Sequence, residues 1–128
     1  HRGLLDQHMV PVFKNTSKNF FSLPNELFFL NIGHGVITVY AYLLYCEDRR
    51  THQCHPSYRT ISDVVHLTVS TVMKHITKLA DRQFITVEST SYIDKRGMKW
   101  NGNNLYTILP IQMAMDYCYQ QQLLRLEA

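Results

Sequence analysis

The chain has 128 residues, 45% hydrophobic and 18% charged, a balance that specifies one globular domain with a real core and excludes a disordered tail. The net charge of +3 is too small to name a partner by itself, and no apolar run approaches the ~20 residues of a membrane span. Three cysteines without a CxxC pair suit reduced thiols, and no charged-then-apolar stretch opens the chain, so the expected location is cytoplasmic.

Residues 1–20 show little periodicity and predict an extended arm, with a short strand at Met9–Phe13 and a polar connector at Lys14–Asn19. Phe20–Leu23 reads as extended. Pro24 suits the first position of a helical turn over Asn25–Leu30, and Ile32-Gly33-His34-Gly35 breaks it. A long helix is expected over Val36–Cys46, with Val36, Tyr40, Leu43 and Leu44 as its core stripe. Ile37, Ala41, Tyr42 and Tyr45 leave that helix little polar face, so a C-terminal helix or a second chain is expected to cover its other side. Glu47–His55 is a polar loop that should end in a short strand near Gln53–His55.

The next stretch is the most informative. Ser57 is placed to cap a short amphipathic helix, Tyr58–Val65, and a corner follows at His66–Val69. Thr68 is the expected N-cap of a second helix over Ser70–Arg82. There Val72, Ile76 and Leu79, at i, i+4 and i+7, share one apolar face. Ser70, Thr71, Lys74, His75 and Lys78 take the other face and can all donate hydrogen bonds. Two β-rich runs, Ile85–Ile93 and Leu105–Leu109, then flank a loop of about ten residues that carries Gly97, Gly102, Lys95, Arg96 and Lys99. A helix resumes after Pro110 through Leu126, apolar on more than one face.

Helix, turn, helix and hairpin in that order predict a winged helix-turn-helix. The class is mainly α with a small β-hairpin (α+β): a three-helix core over residues 21–110, the wing, and a C-terminal helix over 111–128. The second helix alone would suit any amphipathic surface helix. The capped turn before it and the hairpin after it favour the motif. Between Thr68 and Gly102 there are six basic residues against three acidic ones, so this third of the chain holds the equivalent of the whole net excess. The expected core is Tyr40, Leu43, Leu44, Ile61, Val65, Val72, Ile76, Leu79, Phe84, Tyr106 and Ile108.

The stretch from Phe21 to Pro110 resembles the winged helix-turn-helix domains of phage, plasmid and conjugative-element proteins of Gram-positive bacteria, including replication initiators and replisome organisers. The resemblance is carried by Cys54–Ile61, Thr68–Val72, Ile76, Leu79, Phe84-Ile85 and Asn104–Ile108. It implies DNA binding, a property shared there by activators, repressors and initiators. Such domains usually have Gly in the corner and Gly after the recognition helix; here His66 and Gln83 stand there. Both positions predict a positive φ, which His tolerates better than Gln.

The resulting expectation is a sequence-specific double-stranded DNA-binding protein, a transcriptional regulator or a replication or transfer control factor of a mobile element. Ser70, Thr71, Lys74 and His75 would meet base edges, Val69 a thymine methyl, and Arg59, Lys78, Lys95, Arg96 and Lys99 phosphates. The alternative is a winged-helix protein-interaction module without DNA binding, which a salt-steep retention on heparin would argue against. The C-terminal helix, with Met113, Tyr117 and Leu124, suggests a homodimer. No membrane partner, small-molecule ligand, cofactor or metal is expected. His52, Cys54 and His55 are close in sequence, but neighbouring strand positions point Cys54 and His55 to opposite faces. No catalysis is expected, because no nucleophile elbow or phosphate-binding glycine loop occurs, and no tyrosine has the Arg/His cluster that phosphoryl transfer needs.

Overall fold

A computed structural model describes residues 20–127. The strand expected at Met9–Phe13, and all of the N-terminal arm but Phe20, lie outside the described residues. A 3-10 helix at Asn25–Phe29 comes first, preceded by Pro24 as its cap. It turns Leu27 fully inward and leaves Phe28 and Phe29 in water.

Helix α1, His34–Cys46, starts two residues earlier than its apolar stripe implies, because Gly33 takes a φ of 93° and lets the chain turn into it. Its principal partners are the other two core helices and the strands β1 (Gln53–Cys54) and β5 (Leu105–Ile108). On the second apolar side of α1, Ile37 and Tyr42 pack partly against the core, while Tyr45 stays exposed.

Helices α2 (Tyr58–Val65) and α3 (Val69–Asp81) begin as their caps dictate. Ser57 Oγ accepts from the Thr60 amide at 3.0 Å, and Thr68 Oγ1 accepts from the Thr71 amide at 3.3 Å. Both exit through a left-handed residue, His66 (φ 59°) and Gln83 (φ 69°). At the end of α3 the Phe84 amide donates to Leu79 O at 2.9 Å and the Gln83 amide to Ala80 O at 3.2 Å. That pair of bonds satisfies two orphan carbonyls and drives Phe84 back into the core beside Leu79.

A three-stranded antiparallel sheet of order β1-β5-β2 closes the domain, with β2 at Ile85–Glu88. Ile85 pairs with Ile108 and Val87 with Tyr106, so β5 turns Tyr106 and Ile108 inward. The single run expected from Ile85 to Ile93 is interrupted at Ser89-Thr90. There Thr90 O accepts from the Gly102 amide at 2.8 Å and the Thr90 hydroxyl donates to Asn103 O. Beyond this waist the expected loop is itself a hairpin, β3 (Ser91–Ile93) against β4 (Lys99–Asn101).

The core unites the three helices, the sheet and the N-terminal segment. Ten of the eleven expected core residues are buried, and Val65 is half-buried against them. Tyr40 and Phe84 meet edge to face at 5.2 Å between ring centres. Leu27, Leu30, Ile32, Val36, Val39, Cys54, Ile85 and Ala114 complete it. The last helix, α4 (Ile111–Glu127), joins only by its first turns: Ala114 is buried, while Tyr119, Leu123, Leu124 and Leu126 are exposed.

Candidate nucleic-acid interface

Packing decides which face of α3 is free. With Val72, Ile76 and Leu79 buried, residues about 100° apart around the helix leave one stripe pointing outward. Val69, Ser70, Met73, Lys74, Thr77 and Asp81 are its exposed members. Asp81 puts a negative charge at the C-terminal end, so the first two turns form the surface suited to an anion. Thr71 is half-buried beside the stripe; its hydroxyl accepts from Thr68 Oγ1 at 2.9 Å and keeps its own proton to donate.

Two expected contact residues are half-buried beside that stripe. His75 is half-buried, and its Nε2 stands 2.5 Å from where a Cβ on Gly35 would be, so the ring is laid over the start of α1. Burial first, then Lys78 and His34, hold its imidazole below the ordinary value of 6.5. Lys78 Nζ donates to Ile32 O at 3.1 Å, which ties the ammonium to the loop before α1 with protons left over. His75 is thus turned from the free stripe, and Lys78 sits at its margin.

Val69 opens the stripe at the mouth of a groove lined with Ser57, Tyr58, Arg59, Gly102, Asn103 and Asn104. This groove lies between the start of α2 and the base of the wing, and its walls mix the apolar faces of Val69, Tyr58 and Tyr106 with polar side chains. Asn104 Nδ2 donates to the Tyr58 hydroxyl at 2.8 Å and Asn103 Nδ2 to His55 O at 3.2 Å, fixing wing to helix. Arg59 is exposed at its edge.

The wing tip is organised by one carboxylate. Asp94 Oδ1 accepts from the amides of Arg96 (2.8 Å) and Met98 (2.9 Å), and Oδ2 from Trp100 Nε1 (2.9 Å). Asp94 O accepts from the Gly97 amide at 3.0 Å, where Gly97 supplies a φ of 83°. The Trp100 bond first, then those backbone donors, hold the Asp94 carboxyl below its ordinary value. With that carboxylate occupied internally, Lys95, Arg96 and Lys99 are all exposed around it.

Met73 and Thr77 were not among the expected contacts. Their signal was present in the sequence: they follow Val69 at steps of four, on the edge of the face opposite Val72, Ile76 and Leu79.

No group of three or more His, Cys, Asp or Glu is placed to hold a metal ion among the described residues. Cys46, Cys54 and Cys118 are free thiols, and burial pushes Cys54 up to about 12. Burial also pushes the phenols of Tyr40 and Tyr106 up to about 12, where neither is a ready nucleophile. Among the described residues, no helix is long and apolar enough to cross a membrane.

Three helices in this order, the second and third capped by Ser57 and Thr68, a left-handed corner between those two, and a sheet extended into a basic hairpin define a winged helix-turn-helix domain. Residues 30–85 match a family model described as a helix-turn-helix domain, a span that runs through α1, α2 and α3 to the first residue of β2. Over those residues the chain is similar to that domain, in agreement with the fold. Among solved structures it is similar to one titled "Possible transcriptional regulator from Methanosarcina mazei Go1", at 21% identity. That match covers 77% of this chain and 76% of the other, with a TM-score of 0.49. No curated protein matches the chain in sequence.

Proposed function

We propose that this chain is a sequence-specific double-stranded DNA-binding protein, a transcriptional regulator or a replication or transfer control factor of a mobile element. The observation that carries the proposal is the free stripe of α3. It offers hydroxyls and an ammonium at its start, over a fully packed back, with the base of the basic hairpin beside Val69. In this reading Ser70, Thr71 and Lys74 meet base edges in a major groove. Arg59, Lys78, Lys95, Arg96 and Lys99 hold phosphates, and His75 braces the recognition helix against α1. No enzymatic step is assigned.

Retention of a random-sequence duplex library at low salt, followed by selection, tests it. Binding should fall linearly in log affinity against log salt, with a slope set by the phosphates engaged. Binding that ignores salt, or no retained duplex, would sink the proposal.

The same reading includes a homodimer formed through the distal half of α4, whose Leu123, Leu124 and Leu126 are exposed among the described residues. A two-fold pair would present two recognition helices to half-sites roughly 34 Å, or a multiple of that, apart. Sedimentation at micromolar concentration should give twice the 15.0 kDa chain mass, and a clean monomer would remove the dimer.

A further inference from the structure

Two side chains on the free stripe of α3, Val69 and Met73, do not fit a purely polar surface. Met73 is 46% exposed, one turn beyond Val69 and flanked by Ser70, Lys74 and Thr77. Those four residues line a shallow and mainly apolar depression. Thr77 contributes to its apolar character, because its hydroxyl donates back to Met73 O at 3.0 Å and leaves its methyl for the surface. Among the described residues the core is closed behind Val72 and Ile76, and Met73 takes no part in it.

Among the base edges of a major groove, the one apolar feature is the C5 methyl of thymine, or of a methylated cytosine. A methionine is suited to it, being flexible, polarisable and able to shape itself to a small apolar target. Val69 lies instead in a separate groove at the base of the wing, beside the exposed guanidinium of Arg59, which suits a phosphate. We propose that Met73, with the Thr77 methyl beside it, is a specificity-determining residue that reads the C5 methyl of a pyrimidine next to the base met by Lys74. The inference rests on the DNA-binding reading above and goes beyond it by naming which chemical group is read and by which side chain.

The test uses the full chain and the best duplex recovered from a random-sequence selection. Each thymine is replaced in turn by deoxyuridine, which removes only the methyl. Burying one methyl is worth about fourfold in affinity. At one thymine, or two adjacent ones, wild type should therefore lose about fourfold. Met73→Ala should bind the thymine and uracil forms equally, Met73→Leu should keep the discrimination, and Val69→Ala should keep it too.

A cytosine pair at the sensitive position, compared with its 5-methylcytosine form, distinguishes the two sources of the methyl. A gain on methylation in wild type that is absent in Met73→Ala assigns the contact to the methyl itself. Discrimination that persists in Met73→Ala, or that disappears only in Val69→Ala, overturns the inference. So does a selected duplex with no sensitive thymine. Salt-steep binding without any enriched sequence would leave DNA binding standing and this inference overturned; failure to retain any duplex would remove both. Matching thermal unfolding of the variants and wild type confirms that the contrast is one of contact.

Discussion

Gln83 holds a φ of 69° at the exit of α3, and its amide and that of Phe84 close the helix on Ala80 O and Leu79 O. A side chain with a Cβ in this left-handed region costs roughly 1–2 kcal/mol relative to the right-handed one. Glycine would remove that cost while adding about 0.4–1 kcal/mol of freedom to the unfolded chain. Gln83→Gly should therefore stabilise the domain by about 0.5–1 kcal/mol, equivalent to a rise of roughly 2–4 °C in Tm for a domain of this size. His66→Gly makes the internal comparison: its φ of 59° is similar, but His is more at ease there, so the gain should be smaller. Urea and thermal unfolding followed by circular dichroism measure both. A Gln83→Gly protein no more stable than wild type would refute the strain argument, as would a larger gain at His66 than at Gln83.

Ile76, 3% exposed behind the recognition face, should cost ~2–5 kcal/mol as Ile76→Ala, read as a shift in the urea midpoint. Replacing Lys95, Arg96 and Lys99 together with glutamine should weaken all duplexes about equally and lower the salt slope by up to ~3, measured by anisotropy across a salt series. His75 gives a pH prediction. Its folded-state pKa lies below 6.5, so the unfolded chain binds more protons as pH falls past that value. The stability His75 contributes is then full above about 6.5 and lost progressively below it, and unfolding midpoints of His75→Gln should show a shallower decline than wild type over that window.

The helix-turn-helix was legible because its signals are local. The caps at Ser57 and Thr68 and the stripe of Val72, Ile76 and Leu79 act within one turn of the residues they order, so α2 and α3 start and pack where the sequence implies. The waist at Thr90 and the inner hairpin were less apparent, although Asp94 and Gly97 bracket a four-residue turn that could have announced it. The N-terminal segment resisted reading for a different reason. Its bulkiest residues, Phe28 and Phe29, face water while Leu27 takes the buried place, a choice made by the tertiary surface and not by local pattern. His75 shows the same limit within the site: helical spacing puts it near the basic face, but Gly35 opens a seat for its ring that only the packed fold supplies.

The central claim is that the free stripe of α3 and the wing tip form one DNA-binding surface. Amide chemical-shift mapping of the labelled chain, titrated with a selected duplex, tests it most directly. The largest shifts are expected at Ser70, Thr71, Met73 and Lys74 and around Lys95–Lys99, with small changes along the distal half of α4. Shifts confined to α4 and the Phe28-Phe29 segment, or an unperturbed α3, would contradict it.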